Sequence, residues 1–418
     1  MKASTSIQLS LMMFLEFFIW GAWYTTVGIY MTKHNMADLT YWPYTVNPVA
    51  AIIAPFFVGL IADRYFATEK VLGTLHVLGA VFMFLVPSAT ANPVVFILLL
   101  LAYNICYMPT ISLANTVCFH IMTNQEKQFP LIRVFGTIGW IVAGLIISFV
   151  LGNFVASDLK PEETAMPLYL TAGASLVLGL YSFTLPHTPP PAKGKKVSAR
   201  SIIGVDAFKQ LGSRSFYVFL LSSFLICIPL AAYYNFTQIF LSSANFKNVA
   251  ATQTIGQASE TIFMILMPVF FARLGVKWML AAGMLAWALR YALFAVGAPD
   301  LVTWMILTGI ALHGICYDFF FVAGQIYVDK KANPQIRAQA QGLIIFTTYG
   351  CGLLVGAQIA GRVYNSFLGS ATSLTLPQWQ SFWWIPAVFA LIVLVIFILL
   401  FRDTQKVVAT TEEPVAMV

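Results

Sequence analysis

Charge is what this chain has least of. Of its 418 residues only 9% are Asp, Glu, Lys or Arg, while 59% are hydrophobic. That balance cannot keep a soluble globular surface hydrated, so the soluble fold classes are excluded. Long hydrophilic stretches are also missing. The longest runs from Pro186 to Arg214, too little for a catalytic or signalling domain. There is no HExxH, no GxSxG, no phosphate-binding loop and no TVGYG pore filter. The five cysteines, Cys106, Cys118, Cys227, Cys316 and Cys351, all lie in apolar runs without zinc-ligand spacing. They read as small buried residues, not as a disulfide framework or metal site. The sequence therefore predicts no enzyme activity, no cofactor and no metal.

What is present is a series of apolar runs. Crossing a hydrocarbon core of about 30 Å takes roughly 20 apolar residues. Twelve segments meet that need: 9–30, 42–62, 70–88, 93–119, 131–153, 166–185, 215–242, 250–272, 277–297, 301–328, 338–365 and 380–401. The first, Leu9–Tyr30, is too long for a signal-peptide core and lacks a clear small-residue cleavage site, so it reads as a retained span. The net charge of +7 does not point to nucleic acid, because the basic residues are spread over short loops. With the N-terminus inside, the cytoplasmic side collects all the Lys and Arg except Lys33, Lys160, Lys247, Arg290 and Arg362. This asymmetry predicts cytoplasmic N- and C-termini.

The segment from Pro186 opens PHTPPPAKGKK, which has no means of forming a core, and divides the spans six and six. The expected organisation is an N-terminal six-helix half (1–185), a cytoplasmic linker (186–214) and a C-terminal six-helix half with a short tail (215–418). Six and six all-α spans around a basic inner loop suggest the major facilitator fold, in which two halves rock around a midplane site.

Charged groups inside apolar runs are costly and mark substrate or ion pathways. Glu260 falls mid-run in TIGQASETIF, with Gln257 one turn earlier on the same face. Together they suit hydrogen bonding to a polar ligand, or Glu260 forms a buried ion pair with Arg133. Asp318 sits among aromatics in LHGICYDFFF, next to Tyr317. Either Asp318 or Glu260 suits loading and release of a proton. In FPLIRVFGTIGW, Arg133, Thr137 and Trp140 share a helical face. Thr137 is a candidate hydrogen-bond donor, and Trp140 either stacks on a flat ring or packs. Glu16 in FLEFFIWGAW is either a third buried carboxylate or a residue reaching the interface. His76 and His313 read as packing histidines. GLIADR (Gly59–Arg64) resembles the major facilitator signature between the second and third spans, which implies a gate latch with Asp63 capping a helix and Arg64 contacting the loop; the alternative is a helix end followed by ordinary loop charges.

FPLIRVFGTIGW, SLANT (Ser112–Thr116), QASE (Gln257–Glu260), WALRYALFAVG (Trp287–Gly297), HGICYDFFFVAGQIYVDKK (His313–Lys331), IRAQAQGL (Ile336–Leu343) and FIWGAW (Phe18–Trp23) occur in this order over nearly the whole chain. The set resembles the bacterial nucleoside:proton symporter family of the major facilitator superfamily. The resemblance implies proton-driven uptake of nucleosides by a membrane-embedded monomer, with matching positions at Arg133, Thr137, Gln257, Glu260 and Asp318, and aromatics at Trp140 and Tyr317. In the seventh span this chain has Ala231 and Tyr234 where the family's permeases carry a Gln and an Asn facing the ligand, with Asn235 on another face. His313 stands in place of a Tyr and Glu16 in place of a Gln. These changes leave open a facilitator or exporter of another polar molecule, a sugar or a drug. A membrane sensor is the remaining alternative, and the stretch after Arg402 is too short to signal.

Overall fold

Apolar segments in a medium without water must satisfy every backbone N–H and C=O internally, which a helix does. The computed structural model describes residues 2–57, 65–190, 205–333 and 336–402, and among these every regular element is helical. The long helices are α1 (Ala3–Lys33), α2 (Trp42–Phe57), α3 (Thr68–Ala89), α4 (Pro93–Ile121), α5 (Lys127–Phe154), α6 (Met166–Ser182), α7 (Arg214–Ser243), α8 (Val249–Gly297), α9 (Thr303–Lys331), α10 (Gln339–Leu368) and α11 (Leu376–Leu400). Nine of these are long and apolar enough to cross a membrane among the described residues. Each of the twelve expected segments is mainly helical where it is described, with short breaks such as Thr25–Thr26 and Leu312. One boundary differs from expectation. The eighth and ninth segments join into α8, with only a sharp break at Gly275 (φ 65°, ψ 178°) between them. Glycine alone takes that conformation without strain, so no loop is needed there.

Side-chain placement inverts the soluble pattern. Ile265, Leu131 and Leu399 are among the most exposed apolar residues, as lipid-facing positions should be. Glu16, Asn47, Asn104, Arg290 and Asp318 are fully buried. The buried apolar residues form two main cores. One draws on residues 9–185 with Ala357, the other on residues 207–401 with Ile29 and Ala37. A small third cluster, Phe18, Ala22, Ala143, Ile147 and Ala250, joins α1, α5 and α8 across the two.

The two sets of helices are tied together at the face opposite the chain termini. Lys160 Nζ donates to Ser242 O and Oγ at 3.2 and 3.0 Å. The Glu162 carboxylate accepts from Ala250 N–H at the start of α8 (2.9 Å), where helix N-terminal donors lack partners, and Ser148 Oγ accepts from Ala251 N–H. In α1 the hydroxyls of Thr25 and Thr26 bond back to Gly21 and Ala22 at a local break, and Thr25 O accepts from Gln253. Gln238 bridges Gly28 N–H, Tyr24 O and the Tyr44 hydroxyl. Deeper in, Tyr349 bonds Asn47 (2.7 Å) and Gln358 bonds Thr45. Among the described residues, every hydrogen bond between the two sets lies between this depth and that face. The protein is closed there.

Glu162 lies in the loop joining α5 to α6. Burial pushes its carboxyl above the usual carboxylate range, and the bond from Ala250 N–H opposes this only in part. In an open form the same group is hydrated and titrates normally. The closed form therefore holds the proton more tightly, so closure is favoured at acid pH and weakens as pH rises through the raised value. A cysteine substituted for Ala251 is expected to gain reactivity towards a membrane-impermeant thiol reagent more steeply with pH in the parent protein than in Glu162→Gln. Identical pH slopes would refute the assignment.

Candidate functional site

Between the two cores, groups from α1, α5, α7, α8, α9 and α10 converge at mid-depth. On α5 the four-then-three spacing of Arg133, Thr137 and Trp140 puts all three on one half-buried face. The Arg133 guanidinium lies 4.0 Å over the Phe17 ring, a cation–π contact that holds it without a direct ion pair. Glu260 and Tyr317 are within its electrostatic reach. The expected alternative of a tight Arg133–Glu260 ion pair is absent among the described residues. Trp140 packs edge-on against Trp20 (5.5 Å between centroids) and near Tyr24.

Aromatic rings from the other set complete the wall. Trp20 meets Tyr349 of α10 at 6.1 Å, and Tyr24 meets Tyr234 of α7 at 5.7 Å. Trp20, Tyr24 and Tyr349 did not emerge from the sequence. Trp20 lies in the FIWGAW run, but nothing local distinguishes a cavity aromatic from a packing one.

On α8, Gln257 and Glu260 are both half-buried, and the Gln257 Oε1 has no hydrogen-bond partner. Glu260 Oε2 lies 4.0 Å from His313 Nε2. The approach is fixed by Gly314: a Cβ there would lie 2.6 Å from Glu260 N, so α9 rests directly on the α8 backbone. His313 Nδ1 is 3.3 Å from Arg290 Nη1. A guanidinium only donates, so Nδ1 accepts and the ring hydrogen sits on Nε2, towards Glu260. Arg290 is fully buried, donates from Nε to Gly309 O at 3.1 Å and stacks 3.6 Å over the Tyr233 ring. A row runs Arg290, His313, Glu260. Sequence reasoning read His313 as packing and gave Arg290 no role, because their proximity arises between two helices.

Tyr317 is half-buried, 5.8 Å from the His313 ring and within electrostatic reach of Glu260 and Arg133. Tyr234 is half-buried beside His313. Asp318 differs from the rest. It opens a π-helical turn (Asp318–Val322), has no exposed surface, and neither carboxyl oxygen has a partner. It lies within electrostatic reach of Glu260. Ala231 and Asn235 are buried, Asn235 with its amide unpartnered. Asp63 and Arg64, the expected latch, lie outside the described residues. Glu16 does not reach the interface. It is fully buried, with His76 Nε2 at 2.9 Å.

An all-helical chain with two cores and a half-open polar and aromatic site between them is a multi-pass membrane transporter. The sequence profile described as Nucleoside H+ symporter matches residues 3–406. The chain belongs to that family. YegT of Escherichia coli (strain K12) is 40% identical over 408 residues, 96% of this chain and 95% of YegT. The nucleoside permease NupG of the same organism is 31% identical over 428 residues, 98% of this chain and 99% of NupG. The crystal structure of nucleoside transporter NupG matches with a TM-score of 0.84 at 30% identity, over 96% of this chain and 99% of that one. A bacterial homologue of the lysosomal transporter Spinster, at 13% identity, shares the fold with a TM-score of 0.74. These neighbours have the major facilitator fold expected from the sequence.

The close seating of α9 on α8 predicts that Gly314→Ala costs about 1–3 kcal/mol by overpacking. Thermal unfolding of the detergent-solubilised protein should show a lower midpoint. Gly173→Ala, where nothing lies within 4 Å, serves as the control and should leave the midpoint unchanged or slightly raised. Matching behaviour of the two variants would contradict the packing argument.

Proposed function

We propose that this chain carries nucleosides together with protons into the cell across a bacterial inner membrane, as a monomer, with both termini cytoplasmic. One observation carries the reading most. Gln257 and Glu260, half-buried on α8, stand with the half-buried face of Arg133, Thr137 and Trp140 between two separately packed helix sets. A nucleoside has a flat base and a hydroxyl-rich sugar. Gln257, Glu260, Thr137 and Arg133 suit its polar edges, and Trp140, Tyr234 and Tyr317 suit its ring. The two sets are taken as halves 1–185 and 215–418 that rock about this site, with the connecting segment 186–214 contributing Ala207 and Leu211 to the second core.

The polar ties at the face opposite the termini are then the closed outer gate, and the site communicates with the cytoplasm. Asp63 and Arg64 latch the inner gate in the opposite state. Glu260 faces cargo space and exchanges its proton as cargo binds. Asp318, sealed with both oxygens unpartnered, is an expensive place for a bare charge and is the second candidate for the coupled proton.

Uptake of labelled uridine and adenosine into vesicles should rise with an inward proton gradient and fall when the gradient is collapsed. Gradient-independent uptake would remove proton coupling from the reading. Glu260→Gln is expected to lower uptake at least tenfold, a loss of about 1.4 kcal/mol or more in the transport transition state. Trp140→Ala should raise the KM about fivefold, the effect of losing one aromatic contact of about 1 kcal/mol. Unchanged KM in Trp140→Ala would take that ring out of the binding site.

A further inference from the structure

A second titratable cluster lies away from the cargo site, inside the N-terminal helices. Glu16 of α1 and His76 of α3 are buried to 0% and 1% exposure, and Oε2 and Nε2 are 2.9 Å apart. Thr110 of α4 lies 2.6 Å from Glu16 Oε1, and the Tyr107 hydroxyl donates to Glu16 O at 2.7 Å. Ser175 of α6 lies 3.2 Å from His76 Nδ1 and 3.0 Å from the His76 carbonyl. Four helices meet at this pair.

Counting hydrogens shows what the cluster can do. The Ser175 hydroxyl has one proton. With that proton on the His76 carbonyl, which only accepts, Nδ1 must donate to Ser175. One further proton then lies between Nε2 and Oε2, and the pair is neutral overall. If that proton leaves, the ring keeps its hydrogen on Nε2, facing Glu16, and the Ser175 hydroxyl turns from the carbonyl to the bare Nδ1. Thr110 Oγ1 lies 2.6 Å from Glu16 Oε1 and 2.5 Å from Tyr107 O, so its one hydrogen is shared between the two acceptors in either form. Both forms leave no donor or acceptor of the pair orphaned, and they differ by one proton and one hydroxyl rotation. The Arg290–His313 contact lacks this freedom, because the guanidinium holds Nδ1 as an acceptor in every state.

We propose that Glu16 and His76 form a second proton-binding site, which releases and regains one proton in the transport cycle. The inference rests on the proton-coupled reading of the cargo site. Tyr107 connects the pair to that site: its ring packs on Trp20, which packs on Trp140. Glu16 is also one turn from Trp20 on the same face of α1. The other titratable groups facing the pair are Tyr103, Tyr107 and Cys106 of α4, with Arg133 of α5 within electrostatic reach of Tyr107. None of these lies between Glu16 and His76. The α6 neighbour, Ser175, carries no charge.

The test uses the full chain reconstituted in vesicles, first without cargo. Proton uptake is counted with an indicator dye after a jump between about pH 9 and pH 5, a range spanning ordinary His and Glu values. The parent protein should take up one proton more than Glu16→Gln, and one more than His76→Gln. The double variant should lose no more than either single one, because the pair holds the proton jointly. Glu260→Gln removes a different proton, so its loss should add to that of Glu16→Gln. In driven uptake of labelled uridine, Glu16→Gln should carry one proton fewer per nucleoside. Equal proton counts in the parent, Glu16→Gln and His76→Gln would overturn the proposal and leave the pair a fixed structural contact. Absence of gradient-driven uptake in the parent would overturn the cargo-site reading instead, and the cargo-free proton count separates the two failures.

Discussion

A charge placed in hydrocarbon must find its partners inside the protein, and the site is organised around how Arg290 does so. Its guanidinium is fully buried and is held by the Gly309 carbonyl, the His313 ring nitrogen and the Tyr233 face. None of these is an anion. The result is a positive centre that fixes the tautomer of His313 and turns an N–H towards Glu260. The seating of Gly314 on the α8 backbone sets that approach. The surroundings of Glu260 are thus decided two residues away from it, by a buried cation.

The polar groups of the interior fall into two kinds. Arg133, Thr137, Gln257, Glu260 and Tyr317 are half-buried. Asp318, Arg290, Glu16 and His76 are sealed. The first kind can meet a ligand, and the second can hold charge or protons and govern the first. Trp20, Tyr24, Trp140, Tyr234 and Tyr349 form a continuous set of ring contacts drawn from both helix sets. The hydrogen bonds at the face opposite the termini are built largely from backbone partners, Ala250 N–H, Ala251 N–H, Thr25 O and Ser242 O. Each of these ties sets one side chain against one backbone group, and Lys160 and Glu162 bring ionisable groups to them.

Some of the site was legible before the structure. Arg133, Thr137 and Trp140 share a face, as do Gln257 and Glu260, because helical periodicity is local and survives any packing. Other members were not legible. His76 and Glu16 are 60 positions apart, and His313 and Arg290 lie on successive spans. Their residue types match countless packing histidines. The merger of the eighth and ninth segments also escaped notice, since a glycine between two apolar runs reads equally well as a loop or as a turn of about one residue. Asp318 was grouped with Glu260, yet it is fully buried with neither oxygen partnered, whereas Glu260 is half-buried.

From the sequence alone came the membrane class, the helical segments, the family resemblance and the polar stripe on each helix. These follow from the length and composition of apolar runs and from a period of about 3.6 residues, both properties of neighbouring residues. Only the tertiary structure decided which buried charges meet, which rings line the cavity and which end is closed. In a membrane an apolar side chain gains little by choosing the protein core over lipid, so hydrophobicity does not say which way a helix turns. That choice is made by close backbone contacts and by scarce polar pairs, and both exist only once distant helices have packed together.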